Sequence, residues 1–254
     1  MVTIVIPSFN CHEYLDYCLT FIRKNTYTKD YNVIVVDNGS NPPVDASKYD
    51  MNNLVVLRQP SNLGYTIACN IGIKYAKENS EYICLLNNDV IVTSNWLNRM
   101  LWHMESDVGI VGPITNVISG QQAKLIGIYN NENELSFRAE ENFIANQGKR
   151  RPYHRIVGFC MLIKSEIFDK IGLFDEIFNP GNFEDDDLCL RAIKEGYKCV
   201  IAEDVFVHHF GGVTFSSIKI NYASAIEINK KKFADKWTEE EYKKLVELNG
   251  GKNV

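Results

Sequence analysis

The sequence lacks the glycine-rich phosphate loops of the commonest nucleotide-binding folds. No GxGxxG follows its first apolar run, and GxxxxGK followed by Ser or Thr is absent from its 254 residues. A dinucleotide oxidoreductase and a P-loop nucleotidase are therefore disfavoured. Positive charge is also scarce, since 27 Lys and Arg face 32 Asp and Glu for a net charge of −5. No nucleic-acid partner is expected of such a chain. The seven cysteines form no CxxC pair and mostly lie in apolar segments, which reads as reduced, buried thiols. No stretch approaches the length of a membrane-spanning helix, and the opening "MVTIVIPSFN" has no basic leader. A cytoplasmic location is expected, including at the inner face of a membrane. No internal repeat is evident.

What remains is an ordinary globular composition, 45% hydrophobic and 23% charged. Val2 to Ile6 is a β-branched run stopped by "PSFN". From His12 to Lys24 the apolar residues Tyr14, Leu15, Cys18, Leu19 and Ile22 recur at helical spacing. Further strands are expected at "YNVIVVDNGS", "NLVVLRQP" and "YICLLNND", with a helix after "SNLGY" built on Ile67, Ile71 and Tyr75. Strands alternating with helices imply an α/β fold with a Rossmann-like, mostly parallel sheet. A second strand–helix unit is expected in "RIVGFCMLIKSEIFDKIG", with Ser165 as N-cap. A strand "KCVIAEDVFVHH" and a polar helical tail follow.

In a parallel sheet, ligands sit beyond the carboxyl ends of the strands. Three of these strands end in "PSFN", "DNGS" and "NND", which collects polar groups along one edge. Asp37 in "VVDNGS" suits a base N–H or a ribose hydroxyl, although "DNG" is also strong turn chemistry. Asp89 suits Mg²⁺ or Mn²⁺, cations that use few protein carboxylates and fill the remaining positions with phosphate and water; its plain alternative is a turn residue. Glu184, Asp185, Asp186 and Asp187 exceed what a helix N-terminus needs for its dipole, and their repulsion should raise at least one pKa. His208 and His209 leave a β-branched run together, before two glycines. The basic cluster "GKRRPYHR" is as compatible with a solvated loop as with an anion site.

Taken in order, "VTIVIPSFN", "VIVVDNGS", "NLGYTIACNIGI", "YICLLNNDV", "GFCMLIKSEIFDKIGLFDEIF", "FEDDDLCLRAIKEGYK" and "VFVHHFGG" resemble the inverting family 2 glycosyltransferases of the GT-A fold. The rhamnosyltransferase-like branch is the nearest in wording, and the likeness runs from the first strand to Gly212. The resemblance implies transfer of a sugar from a UDP- or dTDP-sugar to a hydroxyl of a glycan, lipid-linked or protein acceptor. It implies Asp37 at the nucleotide base, with Pro7 and Phe9 as the wall beside it and Asn62 and Gly64 at the border. The family's DxD segment falls on Asn87, Asn88 and Asp89, with an amide in place of the first carboxylate. Asp89 and His208 would hold Mn²⁺ or Mg²⁺, with His209 as the fallback ligand. Asp185 corresponds to the general base, and Glu184 and Asp187 to acceptor-contact or helix-start residues.

The chain is expected to divide into a catalytic unit, residues 1–215, and a helical extension, residues 216–254, packed on it. Packing or self-association of that extension is favoured over membrane docking, because its basic residues are offset by acids. Peripheral association with a membrane-bound acceptor stays open. The polar segment from Thr115 to Arg155 is expected to shape the acceptor side. Two rival readings are a nucleotidyltransferase, for which "PSFNCHEYL" offers no Lys or Arg, and a catalytically silent nucleotide- or sugar-binding module.

Overall fold

A computed structural model describes residues 1–28, 30–211 and 222–250. The strands are β1 (Val2–Ser8), β2 (Tyr31–Asp37), β3 (Leu54–Arg58), β4 (Tyr82–Leu86), β5 (Val90–Val92), β6 (Val108–Thr115), β7 (Arg150–Pro152), β8 (Cys160–Lys164) and β9 (Lys198–His209). The helices are α1 (His12–Asn25), α2 (Tyr65–Ala76), α3 (Trp96–Trp102), α4 (Glu132–Asn146), α5 (Ser165–Ile171), α6 (Glu184–Lys194), α7 (Tyr222–Lys236) and α8 (Glu239–Leu248). All these strands join one sheet in the order β3-β2-β1-β4-β8-β6-β9-β5, with β7 paired to β9.

The β3-β2-β1-β4 half is parallel, as alternating strands and helices require. Beyond it, β8 enters antiparallel between β4 and β6, while β6 and β9 run parallel. The sheet is therefore mixed. Alternation along β1 feeds both faces: Ile4 and Ile6 pack with Leu15, Leu19 and Ile22 of α1, whereas Val5 packs with Ala68, Cys69 and Ile73 of α2. Burying a side chain of this kind is worth about 1.5–3 kcal/mol, so the two layers hold the sheet from both sides.

The α2 helix forms where "SNLGY" ends, but its inner face is not the expected one. Ile67 and Ile71 are only half-buried and Tyr75 is exposed, whereas Ala68, Cys69, Gly72, Ile73 and Ala76 face the sheet. Small residues are needed there because a Cβ on Gly72 would lie 2.2 Å from Cγ1 of Val5. Ser165 is not an N-cap either. It is the first residue of α5, behind Lys164, and its hydroxyl donates to the Lys77 carbonyl.

The region from Thr115 to Arg155 contains a helix that the sequence pattern does not reveal. Along α4 the buried residues are Leu135, Ala139 and Asn142, and an Asn in the stripe hides the apolar period; its amide donates to the Glu203 carbonyl at 2.9 Å. The basic cluster is neither free nor merely solvated: Arg150 pairs with Glu105, Arg151 with Glu203 and Arg155 with Asp186.

At the C-terminus, Trp237 and Leu245 lie in the same buried cluster as the α2 and α6 residues. The 215/216 boundary and the residues up to Asn221 lie outside the described residues. Among the described residues no helix is long and apolar enough to cross a membrane, and all seven cysteines are free and buried.

Candidate active site

The carboxyl ends of β1, β2 and β4 share one edge, as their parallel register requires. At β2 the fully buried Asp37 carboxylate accepts from the backbone of Ser40 and Val44, each at 2.9 Å, and from Arg58 at 2.6 Å. Burial opposes its ionisation, but these bonds outweigh burial and hold the carboxyl below its usual value. Turn chemistry thus occupies both oxygens. Next to it, Asn38 donates to Oδ1 of Asn62 at 2.9 Å and accepts from Leu63 N–H at 3.0 Å. Asn62 also accepts from Gly64 N–H at 2.9 Å. Sequence reasoning missed Asn38, which ties the β2 turn to the start of α2.

Gly64 has φ 93°, a backbone conformation that favours glycine, and a Cβ there would also push against the Asn179 side chain, with Oδ1 at 2.1 Å. Pro7 is buried within β1 and Phe9 is half-buried just beyond it. Asn88 donates to the Ser8 hydroxyl at 3.1 Å. The Oδ1 atom of Asn87 is buried without a hydrogen-bond partner, a costly state unless a ligand donates to it.

The turn Asn87–Asp89 leads into β5, which pairs antiparallel with β9, Val90 opposite His209 and Ile91 opposite His208. This register sets Oδ1 of Asp89 3.3 Å from Nε2 of His209. The approach is not an aligned hydrogen bond, because both atoms are buried and unpartnered in that sense. The other ring nitrogen of His209 lies 3.0 Å from the Val117 carbonyl and must donate to it, so in the neutral ring Nε2 carries the lone pair. Burial works to lower the His209 pKa, but the Asp89 carboxylate outweighs it and the pKa is raised.

His208 points elsewhere. Its Nδ1 is 2.8 Å from the Tyr129 hydroxyl and its ring stands edge-on to Phe210; burial, with His209 beside it, lowers its pKa. The expectation that His208 partners Asp89 is therefore corrected in favour of His209. Adjacent residues of a strand face opposite sides, and only one of the two can meet Asp89.

With the His209 ring neutral, two lone-pair atoms face each other in a buried place, which fits a cation taking the position of the Nε2 proton. Donors about 2.1 Å from an octahedral ion, at right angles, lie about 3.0 Å apart, close to the observed 3.3 Å. Among the described residues no group of three or more His, Cys, Asp or Glu converges, so most of the coordination would fall to phosphate and water, as Mg²⁺ and Mn²⁺ tolerate.

The acidic run begins α6. Asp185 is buried and accepts from Gly158 N–H at 2.8 Å and Asp186 N–H at 2.9 Å. Burial first, then the charge of Asp185, raises Glu184 well above the carboxylate range and Asp186 to about 7. One oxygen of Glu184 is buried with no hydrogen bond. Asp187 faces away from this group, held by Arg191 and Lys236 at 2.7 Å and by Trp237 Nε1 at 3.0 Å; it joins helix start to tail.

Two consecutive residues connect the halves of the site. Gly158 N–H holds Asp185, and the Phe159 ring stacks on His209 with centroids 5.1 Å apart. The Phe159 carbonyl accepts from Asn87 N–H at 2.8 Å, and the Gly158 carbonyl from the Tyr65 hydroxyl at 2.9 Å. Gly158 and Phe159 lie in "VGFC" and Tyr65 in "NLGY", but nothing in the spacing of these segments announces the contact.

A mixed sheet flanked by helices, with polar strand ends gathered at one edge, is the GT-A type of α/β fold. The chain belongs to glycosyl transferase family 2, whose model matches residues 3–172. Glycosyltransferase GlyG of Streptococcus pneumoniae is 26% identical over 92% of this chain and 80% of its own length. Other relatives are matched over less: the chain spans 23% of an uncharacterized Sinorhizobium fredii protein and 39% of the pre-mycofactocin glycosyltransferase of Mycobacterium tuberculosis. Among solved structures, a mannosyltransferase of Pyrobaculum calidifontis in complex with GDP-Man and Mn²⁺ aligns with a TM-score of 0.65 at 16% identity, over 97% of this chain and 68% of that one. S. aureus TarS 1-349 with UDP-GlcNAc aligns with a TM-score of 0.65 at 15% identity, over 97% and 71%.

Proposed function

We propose that this chain is a metal-dependent, inverting glycosyltransferase that moves a sugar from a nucleoside-diphosphate donor to a hydroxyl of a glycan, lipid-linked or protein acceptor. The observation that carries the reading is the Gly158–Phe159 link, which joins the Asp89–His209 pair to the Asp185 carboxylate in one site. Family membership and the fold neighbours solved with GDP-Man and UDP-GlcNAc support a nucleotide-sugar donor. The wording of the sequence supports a UDP- or dTDP-sugar and the rhamnosyltransferase-like branch.

Asp89 and His209 would hold Mn²⁺ or Mg²⁺, which supplies positive charge against the diphosphate as it leaves. Pro7, Phe9, Asn62, Gly64 and the amides of Asn87 and Asn88 border the nucleotide. Asp37 reaches it only by sharing lone pairs already engaged by its turn. Asp185 accepts the proton of the acceptor hydroxyl as its oxygen bonds to the anomeric carbon and the bond to the diphosphate breaks. A single displacement of this kind inverts the anomeric configuration. Glu184, held toward its neutral form, offers a buried O–H beside the base to an acceptor oxygen.

The test is a thermal-shift screen of UDP-, dTDP- and GDP-sugars with and without Mn²⁺, followed by NMR assignment of the product anomer. Stabilisation by one donor only with metal, and an inverted product, are expected. A chain that no nucleotide-sugar stabilises, or a product with retained configuration, would sink the reading.

A further inference from the structure

The turn that delivers Asp185 is unusual in its backbone. Asn182 and Phe183, the two residues before α6, both have positive φ, 76° and 74°. For non-glycine residues this costs about 1–3 kcal/mol each and persists only where the surroundings over-determine it. The helix receives no side-chain N-cap, since its cap position is Phe183 itself. Something outside the turn must hold it.

That support comes from α7. Asn229 is 1% exposed, and its two amide N–H groups reach three carbonyls of this turn: Phe178 at 2.5 Å, Gly181 at 3.0 Å and Asn182 at 3.4 Å. Lys232, one turn on, donates to the Ile177 carbonyl at 2.5 Å and to Oδ1 of Asn229 at 3.1 Å, which orients the amide. The Phe233 ring packs against Phe183 with centroids 5.4 Å apart. Lys236 reaches Asp175 and Asp187, at 2.6 and 2.7 Å. Residues 229, 232, 233 and 236 share one helix face, and all of it is turned to the segment from Asp175 to Asp187.

We infer that Asn229 is a positioning residue for transfer: its amide locks the left-handed Asn182–Phe183 turn and so sets the place of Asp185 from the C-terminal helix. The inference rests on Asp185 being the base. Displacements of about 1 Å in a reacting group cost up to about 100-fold in rate, so a side chain that touches no substrate can govern turnover.

The experiment compares Asn229→Ala, Asn229→Gln, Lys232→Ala and Asp185→Asn in the full chain, with the donor found by the screen. Donor binding with Mn²⁺ is measured by calorimetry, and kcat by nucleotide release with a competent acceptor. Asn229→Ala should bind donor with unchanged stoichiometry and affinity yet lose about 10- to 100-fold in kcat. Asn229→Gln, which keeps both donors, should recover part of the loss. Lys232→Ala, a surface change that frees the amide, should move kcat in the same direction by less, and it decides the matter if Asn229→Ala does not fold. Parental kcat in both Asn229→Ala and Lys232→Ala, or a donor affinity that falls in step with kcat, would overturn the inference. If Asp185→Asn keeps its turnover, the base assignment fails instead, and the inference with it.

Discussion

Oδ1 of Asp89 and Nε2 of His209 face each other at 3.3 Å, buried and without an aligned hydrogen bond. Asp89→Ala and His209→Ala should each weaken Mn²⁺-dependent binding of the donor nucleotide by at least about tenfold, because each leaves the cation a single protein ligand. His208→Ala should change it little, since that ring bonds to Tyr129. Calorimetry with UDP or GDP, with and without Mn²⁺, ranks the three variants. A His208 variant worse than the His209 variant would reverse the assignment.

Asp185→Asn should keep donor affinity and lose most of kcat, because an amide of the same shape cannot take the acceptor's proton in the transition state. Glu184→Gln should be milder. Nucleotide release with acceptor present gives both numbers, and a selective kcat loss in Glu184→Gln would transfer the role to that residue.

Asp186 carries a pH signature. Its carboxyl is pushed from an ordinary 3.8 to about 7, by burial first and by Asp185 second, with Arg155 opposing. The folded chain therefore binds this proton more tightly than the unfolded chain, and ionisation weakens the native state. Stability should fall as pH rises across that window and level off above it. Urea midpoints at pH 5 and pH 8 measure the slope. Asp186→Asn should flatten it in part, with Glu184, raised in the same direction, supplying the rest; an unchanged slope would contradict the assignment.

Asp187→Ala should destabilise the fold by about 3–5 kcal/mol, the usual result of removing one partner of a buried ion pair. It strips a fully buried carboxylate from Arg191, Lys236 and Trp237 at once. Denaturant unfolding is the measurement, and a variant with parental stability but no transfer would make Asp187 an acceptor contact instead.

Asp37→Asn separates the two uses of that residue. Loss of the charge-assisted bond to Arg58 should cost about 1.5–3 kcal/mol in stability, while UDP affinity measured well below the melting temperature should fall little. A large affinity loss in a variant of parental stability would give Asp37 to the nucleotide base.

Much of this molecule is local and so legible in its sequence. The runs Val2–Ile6, "YNVIVVD" and "KCVIAEDVFVHH" are strands because compact β-branched segments bounded by turn residues have few alternatives, and the last spans β9 residue for residue. The polar strand ends lie on one edge because parallel pairing leaves them no other place. Tertiary structure decided what depends on register and on partners distant in the chain. His208 and His209 have the same chemistry and neighbouring places in sequence, and the pairing of β5 with β9 alone determines which of them meets Asp89. The four carboxylates of the acidic run are likewise equal in sequence. Gly158, Arg155 and the α7–α8 tail separate them into a carboxylate held by a backbone N–H, a titrating neighbour and a buried anchor, because a carboxylate's state is set by the donors that reach it, and these come from segments about 30 to 50 residues away that only folding brings near.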